Sequence, residues 1–241
     1  MHPVLCHIGP YVLYGHGVMI TLALVVFFVL CFQEGVKRGF EQGKLSKLII
    51  WTILAGILGA KLGYILFNGN NDPLSLSLFM RKGFSLHGTL FLGGVVGWHL
   101  MGRYGLPRAA IFDMAAPILA LCQAIARFGC FLQGCCYGKP VSWGMYFPVH
   151  NNFLHPTQLY LIVGSLVIYR VLKRYEKTAT VGGEVFLMYL ILELVVRIGI
   201  DFFRVYAIPV WGGLYTYQWF CLSLLIGVIY VYAKLKSSRR G

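Results

Sequence analysis

Long apolar runs alternate along this chain with short polar breaks that are mostly basic. Seven such runs can be read: Tyr14 to Phe32, Leu48 to Phe67, Gly88 to Gly102, Arg108 to Ala126, Pro156 to Leu172, Gly183 to Ile200, and Leu214 to Ala233. A bilayer core about 30 Å thick takes about 20 mostly apolar residues per helix. Most of the runs have that length, and the third and fifth are the shortest. Alternating strand patterning is absent, and the runs are too long for the strands of a membrane barrel. The pattern predicts an all-α polytopic membrane helix bundle of about seven transmembrane helices.

The basic residues give the bundle a direction. Lys37, Arg38, Lys44 and Lys47, then Arg103 and Arg108, then Arg170, Lys173, Arg174 and Lys177, fall in alternate loops, and Lys234, Lys236, Arg239 and Arg240 follow the last run. Cytoplasmic loops are the ones enriched in Lys and Arg, so the N-terminus is expected outside and the C-terminus in the cytoplasm. An odd number of crossings agrees with that. Two outer segments stand out. Residues 68–86 carry Asn, Asp and Pro turn residues, and Phe128 to His155, rich in Gly, Cys, Pro and aromatics, is the longest non-helical stretch. Long loops inside compact domains tend to be functional. Residues 1–241 read as a single integral-membrane domain, with the 68–86 and 128–155 loops forming part of the active-site face.

Composition sharpens this picture. The 241 residues are 58% apolar and 12% charged, with a mean hydropathy of +0.72. Soluble domains carry about 25% charged residues, and disordered chains far fewer apolar ones. No short apolar start is followed by a cleavage site and a polar mature chain, which argues against a secreted enzyme. The formal net charge of +13 follows the loops, so it marks topology and anionic-lipid contact instead of a nucleic-acid footprint.

Ionisable groups inside apolar runs are the first functional candidates, because they are expensive at membrane depth. In the sixth run Glu193, Arg197, Asp201 and Arg204 are spaced by four, four and three, which puts them on one helical face. They read either as an ion ladder that neutralises itself or, with Arg127 at the outer end of the fourth run, as a basic pocket. Guanidinium groups grip phosphate in bidentate fashion, which favours a phospholipid headgroup as the ligand of such a pocket. Lys61 and Asp113 read as structural, snorkelling or paired. His87, in Ser-Leu-His-Gly-Thr, is a candidate base near neutral pH, with Gly88 beside it leaving room for a ligand. His16, in Tyr-Gly-His-Gly, is a weaker candidate of the same kind.

Cys130, Cys135 and Cys136 cluster in the second outer loop, whereas Cys31, Cys122 and Cys221 read as packing thiols. Three readings stay open for the cluster: a Cys130–Cys135 disulfide staple, a redox or nucleophilic thiol pair, or a metal site. The metal reading lacks ligands, since His150 and His155 stand at no standard zinc spacing. No metal is assigned.

Several motifs occur in a specific order. They are His-Gly after an outer loop, Ala-Arg-Phe-Gly-Cys-Phe-Leu-Gln-Gly-Cys-Cys-Tyr-Gly, His-Pro-Thr-Gln-Leu-Tyr, and Arg-Ile-Gly-Ile-Asp-Phe-Phe-Arg. Together with Gly-Ala-Lys-Leu-Gly-Tyr in the second run, they make nearly the whole chain resemble the bacterial prolipoprotein diacylglyceryl transferases. The resemblance implies seven helices with the N-terminus outside, in the bacterial cytoplasmic (inner) membrane, and an active site toward the outer face. It implies transfer of the diacylglyceryl group of phosphatidylglycerol to the lipobox cysteine thiol in the signal peptide of a prolipoprotein, with release of glycerol phosphate. The implied partners are those two substrates and membrane lipid, with no nucleic acid and no cofactor.

Residue by residue, the resemblance places the essential His on His87 and the phosphate-contacting arginines on Arg127 and Arg204. Arg197 is then a further arginine of the sixth run, and Gly138 the glycine after the signature aromatic. An early functional Tyr falls on His16, with Tyr14 beside it. The family pattern Arg-x-Gly-Asn-Phe-x-Asn-x-Glu has Cys130, Gln133 and Cys135 at its two Asn and its Glu, and Asp201 stands where a Glu is usual. These departures carry an alternative: a lipid-phosphate-binding transferase or thiol-redox membrane enzyme with a different acceptor, using Cys130, Cys135 and Cys136. A non-catalytic lipid or thiol carrier is the third reading, opposed by the absence of inverted repeats.

Overall fold

A computed structural model describes residues 4–8, 11–68, 85–204 and 212–237. The expected outer loop at 68–86, with Arg81 and Lys82, therefore lies almost wholly outside the described residues, as do Arg239 and Arg240. Seven helices are present among the described residues: α1 (Gly15–Lys37), α2 (Gln42–Asn68), α3 (Leu86–Arg103), α4 (Arg108–Gln133), α5 (Thr157–Tyr175), α6 (Glu184–Asp201) and α7 (Thr216–Ser237). Each covers one of the apolar runs. Several extend past the apolar limits, because intrahelical hydrogen bonding continues into the polar zone where hydropathy has already fallen.

Four of them, α1, α2, α4 and α7, are long and apolar enough to cross a membrane, and only 17% of the apolar stretch of α1 and of α7 is buried. Apolar helices left this bare need lipid around them. α6 falls short of that standard because Glu184, Glu193, Arg197 and Asp201 interrupt it. α5 falls short because Arg170, Lys173 and Arg174 fill its last turns.

Two short antiparallel hairpins accompany the helices, and apolar runs alone did not indicate either. β1 (Val4–Ile8) pairs with β2 (Tyr11–Tyr14), with Val4 opposite Tyr14. β3 (Pro140–Phe147) pairs with β4 (Asn152–Leu154), with an irregularity between Pro140 and Met145. The stretch expected to be non-helical from Phe128 to His155 is thus corrected. It begins as the last turns of α4, to Gln133, and continues as a hairpin anchored by buried Phe147 and Leu154.

The chain divides into two compact units. Within the unit at residues 28–111, α2 and α3 meet through glycine. A Cβ on Gly59 would stand 2.2 Å from the Gly88 carbonyl oxygen, and one on Gly88 would stand 2.0 Å from that of Gly59. Gly93 meets Gly56, and Gly97 meets Thr52, along the same seam. Small residues let membrane helices approach to backbone contact, where van der Waals packing replaces the missing hydrophobic drive. Near the polar end of this unit the Arg108 guanidinium lies 4.1 Å from the Trp98 ring.

The unit formed from residues 1–27 and 112–241 has its core where Ala116 and Ala120 of α4 meet Ile168 and Leu172 of α5 and Val185 of α6. Asp113 ties α4 to the start of α6, its carboxylate accepting the Gly183 N–H at 2.6 Å and the Phe186 N–H at 2.9 Å. Those amides belong to the unsatisfied first turn of a helix, where a negative charge is favoured. The Asp113 side chain is accordingly structural, as its place in an apolar run suggested.

Candidate functional site

The signature segment after α4 is built turn by turn. Gly134, at φ +71°, closes the helix, with its N–H donated to the Phe131 carbonyl and the Cys135 N–H to that of Cys130. This left-handed glycine stop satisfies carbonyls that would otherwise be orphaned. Cys136 is also left-handed, at φ +62°, a conformation that costs an L-residue about 1–2 kcal/mol. Two side chains from the start of α5 hold it there. Gln158 Nε2 donates to the Cys135 carbonyl and Thr157 Oγ1 to the Cys136 carbonyl, each at 2.5 Å. Both are fully buried.

The segment then runs along the end of α6. Gly138 N–H donates to the His155 carbonyl at 2.9 Å, and Lys139 N–H to that of Phe203 at 2.7 Å, which pairs Gly138 with Arg204 as an antiparallel bridge. A Cβ at Gly138 would lie 2.3 Å from the Phe203 carbonyl oxygen and 2.7 Å from His155 Cβ. Only glycine allows that approach. Gly138 therefore positions its neighbours by the absence of a side chain. The ring of His155 packs edge-on to Trp143 and against Phe203, and its Nδ1 lies 3.2 Å from the Tyr160 hydroxyl.

Charge gathers at the same end of α6. Asp201 is fully buried, with Arg197 Nε 3.2 Å and an Arg204 terminal nitrogen 3.9 Å from one carboxylate oxygen. Arg197 also stands over the Tyr217 ring at 5.1 Å. One carboxylate between two guanidiniums leaves a positive excess. The acid two turns before Asp201 does not simply continue an alternating ladder along α6. Glu193 accepts a hydrogen bond from the Gln123 amide of α4, whose own oxygen accepts from the Tyr189 hydroxyl at 3.3 Å.

The three loop thiols converge. The sulfurs of Cys130, Cys135 and Cys136 all lie within 4.8 Å of one another, and the Arg127 guanidinium lies near the Cys130 sulfur. All are free thiols, so the expected Cys130–Cys135 staple is not formed. The loop has no need of one, since Gln158, Thr157 and His155 already hold its backbone. Hydrogen bonding to the two neighbouring thiols, with burial added, pushes the Cys135 thiol well above its usual range. His16 lies against the same part of α4, its Nδ1 3.2 Å from where a Gly129 Cβ would be. That nitrogen is buried with no hydrogen-bond partner among the described residues.

Within one unit, Arg127, His16 and the three cysteines thus form one group and Gly138, Arg197, Asp201 and Arg204 another, and the signature segment runs from the first to the second. Gln133 is the last residue of α4 and Tyr14 the last of β2, opposite Val4. His87 belongs to the other unit, exposed in the first turn of α3. One expectation about it is corrected: Gly88 does not open space for a ligand, because the Gly59 carbonyl fills that space. Sequence reasoning also passed over Thr157, Gln158 and His155 as working residues. The His-Pro-Thr-Gln-Leu-Tyr motif was the available signal, as buried polar side chains at a helix start must find partners.

The family model described as prolipoprotein diacylglyceryl transferase matches residues 3–234. A phosphatidylglycerol–prolipoprotein diacylglyceryl transferase of Clostridium tetani is 32% identical over 213 residues, covering 85% of this chain and 86% of that one. One of Bordetella avium is 31% identical over 257 residues, covering 99% and 97%. The second such transferase of Clostridium perfringens is 31% identical over 233 residues, covering 91% and 90%.

Proposed function

Since the chain belongs to the prolipoprotein diacylglyceryl transferase family, we propose that it works as a membrane transferase carrying the diacylglyceryl group of phosphatidylglycerol to a prolipoprotein. The acceptor in this reading is the lipobox cysteine thiol of the signal peptide, and glycerol phosphate is released. Seven spans would cross the bacterial cytoplasmic membrane as a single domain, N-terminus outside and C-terminus inside, with the active site toward the outer face. No nucleic acid takes part.

The observation that carries the reading is the pair Arg197 and Arg204 around Asp201, pinned to the signature loop through Gly138. Arg127 and Arg204 hold the headgroup phosphate, and Asp201 orients the α6 arginines. Fixed guanidiniums stabilise the negative charge that grows on the leaving phosphate oxygen, without reorganising at the moment of reaction. His87 takes the acceptor thiol's proton, since the thiolate is the nucleophile. Sulfur then attacks the glyceryl carbon, the C–O bond to phosphate breaks, and glycerol phosphate leaves with that electron pair. His16, Tyr14 and Gln133 line the substrate side.

The test is direct. Purified protein is incubated with labelled phosphatidylglycerol and a lipobox peptide, and the peptide mass is followed. A diacylglyceryl-modified cysteine with matching glycerol phosphate is expected. Binding of lipid with no modified peptide would mean that the acceptor is wrong.

A further inference from the structure

Three convergent thiols in an odd-numbered set cannot all be satisfied by disulfides, because one is always left over. Their geometry fits a different use. A thiolate–zinc bond is about 2.3 Å, which sets sulfurs around one ion about 4 Å apart. Cys130, Cys135 and Cys136 already lie within 4.8 Å of each other, so closing on an ion needs a shift of under about an ångström. The frame that presents them is built in advance. α4 fixes Cys130, Gly134 turns the chain, and buried Gln158 and Thr157 clamp the carbonyls of Cys135 and Cys136. The left-handed backbone at Cys136 is strain of the sort a fold keeps where a ligand repays it.

We propose that Cys130, Cys135 and Cys136 form a three-thiolate site for one zinc ion, whose fourth position is open to a thiol. The proposal rests on the transferase reading and deepens it. Soft thiolate ligands select zinc or copper(I), and a reaction without electron transfer suits the redox-inert ion. Three protein ligands with one open position is the arrangement of a catalytic zinc, whereas closed four-ligand sites are structural. Three thiolates on a divalent ion carry one net negative charge, which Arg127 at the Cys130 sulfur offsets. The three cysteines are only partly buried, which leaves the loop open to an incoming ligand.

The site would serve the acceptor. A prolipoprotein thiol that takes the fourth position gives up its proton to the base of the transferase reading and is held as a thiolate. Its lone pair forms the new C–S bond to the glyceryl carbon as the C–O bond breaks and glycerol phosphate departs. The step is a substitution at carbon and needs no oxidant or reductant.

Zinc content and lipid transfer are read separately on the full-length protein, purified from membranes under reductant. About one zinc per chain is expected, lost in Cys130→Ser, Cys135→Ser and Cys136→Ser and kept in Cys221→Ser. Cobalt(II) in place of zinc should give sulfur-to-metal absorption that shifts when a lipobox peptide is added, and not with its Cys→Ser analogue. Cys135→His, which still offers a ligand, should retain the ion with an altered cobalt spectrum, which separates lost ligation from misfolding. Zinc-free protein that still transfers lipid, or a disulfide within the trio, would overturn the site and leave the transferase reading intact. Stoichiometric zinc with no transfer to any lipobox peptide would sink the transferase reading instead.

Discussion

Arg204 illustrates how much one residue can combine here. Its side chain reaches the buried Asp201, and its backbone bridges Gly138. Removing a preorganised charge of this kind typically lowers kcat about 10²–10³-fold. Arg204→Ala and Arg127→Ala are therefore expected to lose at least that much transfer, with the protein still recovered from membranes in normal amount. Arg204→Lys should restore little, because an ammonium cannot reproduce the planar fork. Gly138→Ala acts differently. It forces a methyl group to within 2.3 Å of the Phe203 oxygen, and overpacking of this kind costs about 1–3 kcal/mol. A lowered melting temperature in detergent, alongside lost activity, is the expected result.

At the scale of elements, the start of α5 and the end of α4 act as one clamp. Gln158→Leu removes the donor to the Cys135 carbonyl and leaves a buried acceptor unsatisfied, a loss of about 1–3 kcal/mol. The effect should be local. Maleimide labelling of the loop cysteines should speed up several-fold, while helix content by circular dichroism stays unchanged. The α2–α3 seam makes the opposite kind of prediction. Gly59→Val has no local freedom to absorb the side chain, since the facing group is backbone. The helices must separate, and expression and thermal stability should fall together. The glycines of this seam were visible in the sequence but their partners were not, because Gly59 and Gly88 come together only after both helices form.

For the whole molecule, the apolar surface is the deciding feature. Leu22, Val25, Trp51, Leu58, Leu90, Phe91, Val163 and Ile226 are all exposed on helices, which in water would drive aggregation and in lipid is solvation. The basic C-terminal tail predicts an inside end. A green fluorescent protein fused after Gly241 should fluoresce, and alkaline phosphatase fused there should be inactive; the reverse result would invert the topology. The same end of the chain stabilises the fold. Lys236 of α7 pairs with buried Glu184 at 2.9 Å, and the Tyr175 hydroxyl joins both. Glu184→Ala should lower thermal stability and leave lipid specificity unchanged.

Helix number, helix order and the arginines of α6 were readable from residues alone, because hydropathy and the spacing of charges on a helix are local properties. So were the Cys-rich segment and its family resemblance. The rest depended on residues far apart in sequence meeting in space. Gly138 is required by the Phe203 carbonyl, Gln158 by the Cys135 carbonyl, and Gly88 by the Gly59 carbonyl. None of these pairings leaves a periodic signature. Spacing alone discouraged a metal at Cys130, Cys135 and Cys136, whereas the folded loop puts their sulfurs in one place. A left-handed turn and two buried hydrogen bonds set where those thiols point, and only the tertiary structure supplies them.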